Sequence, residues 1–218
     1  PLPDVISDEA AAQLIAMPFS AISLLDFLTV KQGDWIVQTA ANGAVGKVLA
    51  ALTAERGIGL VNLVRRQEAV QELTDLGMTN IVVTSDADWI DQVKAITGPD
   101  GAHAAVDSVG GDVGAGLVDV LGNEGELVVF GTATGAPMPL NSGAIIFKHI
   151  TIKGFWGAKV GAAMAAEKKG KLIGELVTLA AQGKLPLPVG GIFDLADAAK
   201  AMDAALVPGR AGKVLLRA

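Results

Sequence analysis

Short β-branched runs alternate with stretches of helical periodicity along most of the chain. Residues 35–39 (WIVQT), 59–64 (GLVNLV), 80–84 (NIVVT), 103–108 (HAAVDS), 126–131 (ELVVFG) and 151–155 (TIKGF) read as strands, the first entered through the turn signal Gln32-Gly33-Asp34. Between them, Val45, Val48, Leu49 and Leu52 recur at helical spacing, as do Val70, Leu73 and Leu76. Ile90, Val93 and Ile96 repeat the pattern, followed by Val113, Leu117 and Leu121. Strand and helix alternating at this pace predict parallel pairing with helices on both faces. The nearly continuous apolar strands agree, since such strands are buried on both sides. The expected fold class is α/β, a doubly wound parallel sheet. A helical lead-in over residues 7–28, interrupted by Pro18, precedes it. After it come a helix near 164–182, a break at Leu185-Pro186-Leu187-Pro188, a strand at 189–193, a helix at 194–206 and a last strand at 213–217.

Composition narrows the chemistry. The 218 residues are 51% hydrophobic and 18% charged, which excludes a disordered chain. Lys+Arg at 17 against Asp+Glu at 23 gives −6, which argues against a nucleic-acid partner. With no cysteine there is no disulfide, no thiolate catalysis and no Cys-based zinc site. With no tyrosine, the Tyr-x-x-x-Lys acid of short-chain reductases is absent. No run reaches the ~18 apolar residues of a membrane span, and no basic start leads into an apolar stretch as in a signal peptide. The expectation is a cytoplasmic protein without a membrane partner. The opening at Pro1 suggests a chain that is processed, truncated or partial.

After the first strand comes Ala40-Ala41-Asn42-Gly43-Ala44-Val45-Gly46, a G-x-G-x-x-G pattern with alanine in the first place. Such a turn lets backbone amides approach a diphosphate and lets the following helix pack closely at the last glycine. A packing role alone is the alternative. Gly43-Ala44-Val45-Gly46-Lys47 is no triphosphate loop, because position 41 is alanine and Val48 offers no hydroxyl to magnesium. About twenty residues on, an NAD site or a methyltransferase places an acid on the ribose. Here the sequence reads Asn62-Leu63-Val64-Arg65-Arg66-Gln67, with no acid until Glu68. Guanidinium groups bind a 2′-phosphate that a carboxylate would repel, so NADP(H) is favoured over NAD. The alternative is a pair of solvated charges opening a helix.

Other candidates weigh less. Val106-Asp107-Ser108-Val109-Gly110 lacks the first glycine of a nucleophile elbow. Asp107 and Ser108 sit at a strand's carboxyl end, where they meet ligand or cap a turn. Asp86, Asp88 and Asp91 read as helix caps. His103 and His149 lack metal-ligand spacing, so no metal site is expected. Phe155-Trp156-Gly157 is either core or the wall of an apolar pocket.

Together these segments resemble the medium-chain dehydrogenase/reductase superfamily in its zinc-independent branch. The resemblance is carried by Pro1-Leu2-Pro3-Asp4 with Ser7-Asp8-Glu9-Ala10-Ala11-Ala12, by residues 38–46, by Asp107-Ser108-Val109-Gly110-Gly111 and by residues 209–215. Residues 62–65 and Phe147-Lys148 through Gly154-Phe155-Trp156 look most like 2-enoyl thioester reductases, with quinone oxidoreductases second. Met17 departs from the polar asparagine that thioester reductases tend to place there. The resemblance implies a Rossmann domain over residues 31–160. Residues 1–30 would lead in from an N-terminal GroES-like domain, and 161–218 would return toward it. It implies that Asn42, Gly43, Ala44, Val45 and Gly46 surround the diphosphate, and that Arg65, Arg66 and Gln67 meet the 2′-phosphate. Phe130, Gly131, Thr132 and Ala133 would flank the nicotinamide. Phe155, Trp156 and Gly157 would border the cofactor and acyl pocket, and Lys213 would touch the cofactor from the last strand. The implied activity is NADPH-dependent reduction of a small-molecule or acyl-thioester double bond. Quinone reduction, or nucleotide binding without turnover, is the alternative. The tyrosine acid of the thioester reductases belongs to the absent domain, so the catalytic acid is unknown. A sixth strand with an open edge predicts a homodimer.

Overall fold

The computed structural model describes residues 2–207, 209–210 and 212–218. Pro1 and Ala211, which fall within the opening and closing motifs above, lie outside the described residues, as does Pro208. Six strands, β1 (Trp35–Gln38), β2 (Gly59–Val64), β3 (Ile81–Val83), β4 (Ala102–Asp107), β5 (Leu121–Val129) and β6 (Thr151–Gly154), form one sheet. Its order is β3-β2-β1-β4-β5-β6, and every neighbouring pair is parallel. This is the doubly wound Rossmann arrangement, whose strand order reverses between β1 and β4.

The helices are α1 (Asp8–Gln13), α2 (Met17–Phe27), α3 (Ala44–Glu55), α4 (Glu68–Asp75), α5 (Trp89–Thr97) and α6 (Gly111–Val120), then α7 (Ser142–Lys148), α8 (Gly157–Ala163), α9 (Ala166–Ala181) and α10 (Ala198–Leu206). Alternation along the strands sends successive side chains to opposite faces. Ile36, Ala104, Val106 and Val128 pack under α2, α3 and α9, through Ile22, Leu25, Leu49, Leu52, Leu172 and Leu176. Val37, Ala105 and Leu127 pack on the other side with Val93 of α5 and Leu117 and Val118 of α6. The lead-in helix α2 is thus part of the main core. Two further strands, β7 (Val189–Asp194) and β8 (Lys213–Arg217), form a separate parallel pair.

Several details differ from the sequence expectation: the lead-in breaks between Gln13 and Met17, with Pro18 inside the first turn of α2, and Leu121, read as a helix position, opens β5. Strand β5 begins at Leu121 rather than 126, because the ladder with β4 shifts register between Ala102 and Ala104. The intervening Gly122-Asn123-Glu124-Gly125 reads as a loop, and Glu124 adopts φ 58°. Helix α7 had no apolar periodicity to announce it; the Asn141 side chain accepts from the Ala144 N–H to start it. Helix α8 contains Gly157 and Gly161, poor helix formers in isolation.

Lys153 lies on the edge strand β6, where its charge could have faced solvent. Instead its ammonium turns onto the sheet face, 2.7 Å from the buried Glu126 carboxylate. It also donates to the Phe27 carbonyl at 3.1 Å and lies 4.3 Å above the Phe27 ring. Glu126 accepts the Thr29 N–H as well. The ion pair of half-buried Lys153 with buried Glu126 therefore ties the end of α2 to β5 and β6.

Candidate functional site

Strand β1 ends in a turn built to expose amides. Ala40 takes φ 51°, and its carbonyl accepts the Gly43 N–H at 2.9 Å. Gly43 then opens α3 in an extended conformation with no side-chain cap, and its carbonyl accepts the Lys47 N–H at 3.0 Å. The N–H groups of Ala44, Val45 and Gly46 are left without intrahelical acceptors, at the positive end of the helix dipole. Asn42 and Gly43 are exposed beside them. A Cβ on Gly46 would stand 2.6 Å from the Ala41 carbonyl oxygen and 2.8 Å from its Cα. Only glycine lets α3 sit this close to the turn. Ala41, in the first place of the glycine pattern, is fully buried against Val64 and Leu73.

Beside this turn, at the point where strand order reverses, lies the fully buried Asp107. Its Oδ1 accepts from the Thr39 hydroxyl (2.9 Å) and the Val109 N–H (3.0 Å), and its Oδ2 from the Gly110 N–H (2.8 Å). The Thr39 hydroxyl oxygen in turn accepts the Ser108 N–H at 2.8 Å. All this capacity is spent inward, so Asp107 caps the turn and knits β1 to β4. The loop after β5 folds over that turn. Phe130 and Gly131 donate to the Asp107 carbonyl (2.7 and 3.0 Å), and Ala133 to the Ser108 carbonyl at 3.1 Å. A Cβ on Gly131 would meet the Ser108 carbonyl at 3.0 Å. Thr132 and Ala133 are exposed on the rim.

Arg65, Arg66 and Gln67 are exposed at the carboxyl end of β2, one strand from the glycine turn. Among the described residues, neither arginine forms an ion pair. On the opposite side, Phe155 is buried, with ring centroids 5.3 Å from Phe27 and 5.8 Å from Phe130. Trp156 is exposed, and Gly157 begins α8. Phe27, Phe155, Trp156 and Lys159 line a hollow of about 560 Å³. Phe155 is thus core and Trp156 pocket wall.

A second hollow, about 520 Å³, brings Asn42, Gly43 and Ala44 together with Lys213 of β8. Met17, Gln13 and Arg210 line it too, and sequence reasoning had not singled out Arg210. The predicted site residues therefore occupy three stations along one edge of the sheet. The arginines stand at β2, the glycine turn and Lys213 at β1, and the aromatic group at β5 and β6. With strands ~4.8 Å apart, β2 and β5 are separated by roughly 14 Å. That edge is where ligands bind in open α/β sheets.

Among the described residues no group of three or more His, Asp or Glu could hold an ion, and there is no cysteine. His103 is engaged locally, its Nδ1 accepting the Trp35 N–H at 3.1 Å and its Nε2 lying 3.2 Å from Asp34. His149 takes the left-handed conformation that ends α7. Among the described residues no helix is long and apolar enough to cross a membrane.

Comparison with known proteins gives the family. A family profile described as zinc-binding dehydrogenase matches residues 44–170. The mitochondrial enoyl-[acyl-carrier-protein] reductase of Caenorhabditis elegans is 32% identical over 212 residues, covering 94% of this chain and 60% of that protein. The human mitochondrial enoyl-[acyl-carrier-protein] reductase is 26% identical, covering 99% and 59%. The chain thus spans about 60% of the length of these relatives. Among solved structures, Escherichia coli quinone oxidoreductase complexed with NADPH superposes with a TM-score of 0.82 at 25% identity, covering 100% of this chain and 67% of that one. An NAD-dependent alcohol dehydrogenase superposes with a TM-score of 0.83, also at 25% identity, covering 100% and 61%. With the sheet order, the glycine turn and the profile in agreement, the chain belongs to the zinc-binding dehydrogenase family of the medium-chain dehydrogenase/reductase superfamily.

Proposed function

We propose that this chain is the cofactor-binding portion of an NADPH-dependent, zinc-independent oxidoreductase that reduces an activated double bond such as a 2-enoyl thioester. The observation that carries the cofactor is the pair Arg65–Arg66, exposed at the end of β2 where an NAD site would hold an acid. When bound, NADPH supplies the hydride that an electron-poor carbon accepts. The chain's own residues orient it. The amides of Ala44, Val45 and Gly46 hold the diphosphate, with Asn42 and Gly43 leaving room for its approach. Arg65, Arg66 and Gln67 hold the 2′-phosphate. Phe130, Gly131, Thr132 and Ala133 flank the nicotinamide, Phe155, Trp156 and Gly157 bound the apolar side, and Lys213 closes the cleft from β8. The thioester is favoured by the enoyl reductase relatives; the NADPH-complexed quinone oxidoreductase keeps a quinone as the second substrate reading.

A further domain would complete the cleft. Strands β7 and β8 form a two-stranded parallel pair, a type of sheet otherwise found covered. Ile192, Leu195, Met202, Leu206 and Leu216 are exposed on and around it. This supports reading the end of residues 161–218 as the segment that joins a second domain; α2 of residues 1–30 and α9 pack with residues 31–160 in the Rossmann core. The cytoplasmic expectation rests on composition, whereas the relatives named above are mitochondrial.

Cofactor choice is tested by titrating NADPH and NADH against the unmodified chain and Arg65→Ala/Arg66→Ala. Loss of charge-assisted bonds worth roughly 1.5–3 kcal/mol should weaken NADPH at least about tenfold and leave NADH unchanged. Equal affinities for both nucleotides in the unmodified chain would remove the NADP assignment.

Turnover is expected to be slow, since the chain holds no tyrosine to donate the proton and half of the cleft would come from another domain. NADPH oxidation with crotonyl thioester and with a quinone measures this directly. Ordinary turnover by the 218-residue chain would contradict it and require a proton donor from within.

We also propose a homodimer across β6. Among the described residues its outer edge is unpaired, and Ile152 of β6 and Ile146 and Phe147 of the preceding α7 are exposed, Phe147 at 85%. An unpaired edge flanked by apolar surface favours an isologous contact with a second copy. Sedimentation at micromolar concentration should show a dimer weakened by Phe147→Lys. A monomer of 22.1 kDa would contradict it.

A further inference from the structure

We propose that Gln38 and Asn62 are positioning residues that set the height of the diphosphate-facing helix turn, an inference that rests on the dinucleotide reading above. Both sit in central strands buried on two faces, and each is only 2% exposed. They are register partners on β1 and β2. A primary amide there is costly unless its hydrogens are bonded. The Gln38 Nε2 donates to the Asn62 Oδ1 at 2.7 Å and to the Gly46 carbonyl at 3.0 Å. The Asn62 Nδ2 donates to the Thr79 carbonyl at 2.8 Å. Directionality is enforced along the line. Because Asn62 gives its hydrogens to Thr79, its oxygen faces Gln38, and Gln38 must present nitrogen to both of its acceptors.

The end of this relay is the first turn of α3. Gly46 packs close to Ala41, since a Cβ placed on it would approach that backbone to 2.6 Å. This close packing leaves α3 little room to sink toward the turn, and the Gln38 bond keeps it from lifting or sliding. Between them, the amides of Ala44, Val45 and Gly46 are held within hydrogen-bond tolerance of one position, where a displacement of about 1 Å would forfeit their geometry. Stability alone does not require such a pair. Replacing both partners of a buried hydrogen bond by apolar groups of similar shape is close to neutral. The Thr79 carbonyl, released from Asn62, belongs to an exposed residue, and the Gly46 carbonyl, released from Gln38, lies within α3, where the i+4 amide bonds it.

That separation defines the experiment. In Gln38→Leu/Asn62→Leu, thermal unfolding should stay close to that of the unmodified chain. NADPH and NADH should both weaken about tenfold, by the same factor, because both carry the diphosphate. Adenosine 2′-monophosphate, which lacks the diphosphate, should bind unchanged. The single variant Gln38→Glu, which keeps shape but replaces the donor by an acceptor, should weaken both dinucleotides at least as much. A folded double variant that binds both dinucleotides like the unmodified chain would overturn the positioning role. A loss confined to NADPH would do so too, since it would place the effect at the arginines. If the unmodified chain binds no dinucleotide, the cofactor reading fails and this inference falls with it.

Discussion

Every α-helix leaves its first amides without partners, and a parallel sheet lines up the starts of its crossover helices along one edge. In this chain that constraint meets the glycine turn at α3, where three amides open without a side-chain cap. Water satisfies them in isolation, but a diphosphate satisfies them better, because it brings charge to the positive end of the dipole. The remaining site is arranged around that turn. The arginines lie one strand to one side and the aromatic group at β5 and β6 lies on the other.

Holding the turn still takes buried polar groups in an otherwise apolar interior. Asp107 collects three donors at the reversal point and fixes the end of β1 against β4. Gln38 and Asn62 fix α3 against β1 and β2. Glu126 and Lys153 fix the far end of the sheet to α2. Unpairing any of these would leave a buried polar group unsatisfied, at a cost of ~1–3 kcal/mol for a neutral one and more for a charge. Each is therefore a point where geometry is specified more tightly than apolar packing would specify it.

The sheet was legible because both of its signals are local. β-branched runs at short spacing gave the strands, and the glycine turn between a strand and an amphipathic helix located the edge that matters. Arg65 and Arg66 stood out by contrast with the acid expected in their place, and the structure leaves them exposed at the end of β2. Less accessible were features that depend on tertiary contact. The shifted start of β5 looks like a glycine loop until β4 pairs with it, and α7 is announced only by the Asn141 cap. Lys153 looks like an edge charge until the buried Glu126 opposite is known. Gln38 did leave a trace, as a polar residue inside a strand buried on both sides, but its partners are eight and twenty-four positions away.

The account stands most directly on the claim that the turn at Gly43 receives a diphosphate, and Gly43→Val measures it. The backbone there has φ −74°, which valine accepts, and the nearest atom to an added Cβ is the Ala40 carbonyl oxygen at 3.1 Å. The cost to stability should be that of a poor N-cap residue, about 1 kcal/mol. Isothermal titration of the folded variant with NADPH should show binding lost, as the branched side chain occupies the path to the amides. Binding of NADPH at the affinity of the unmodified chain would show that the turn serves helix packing alone.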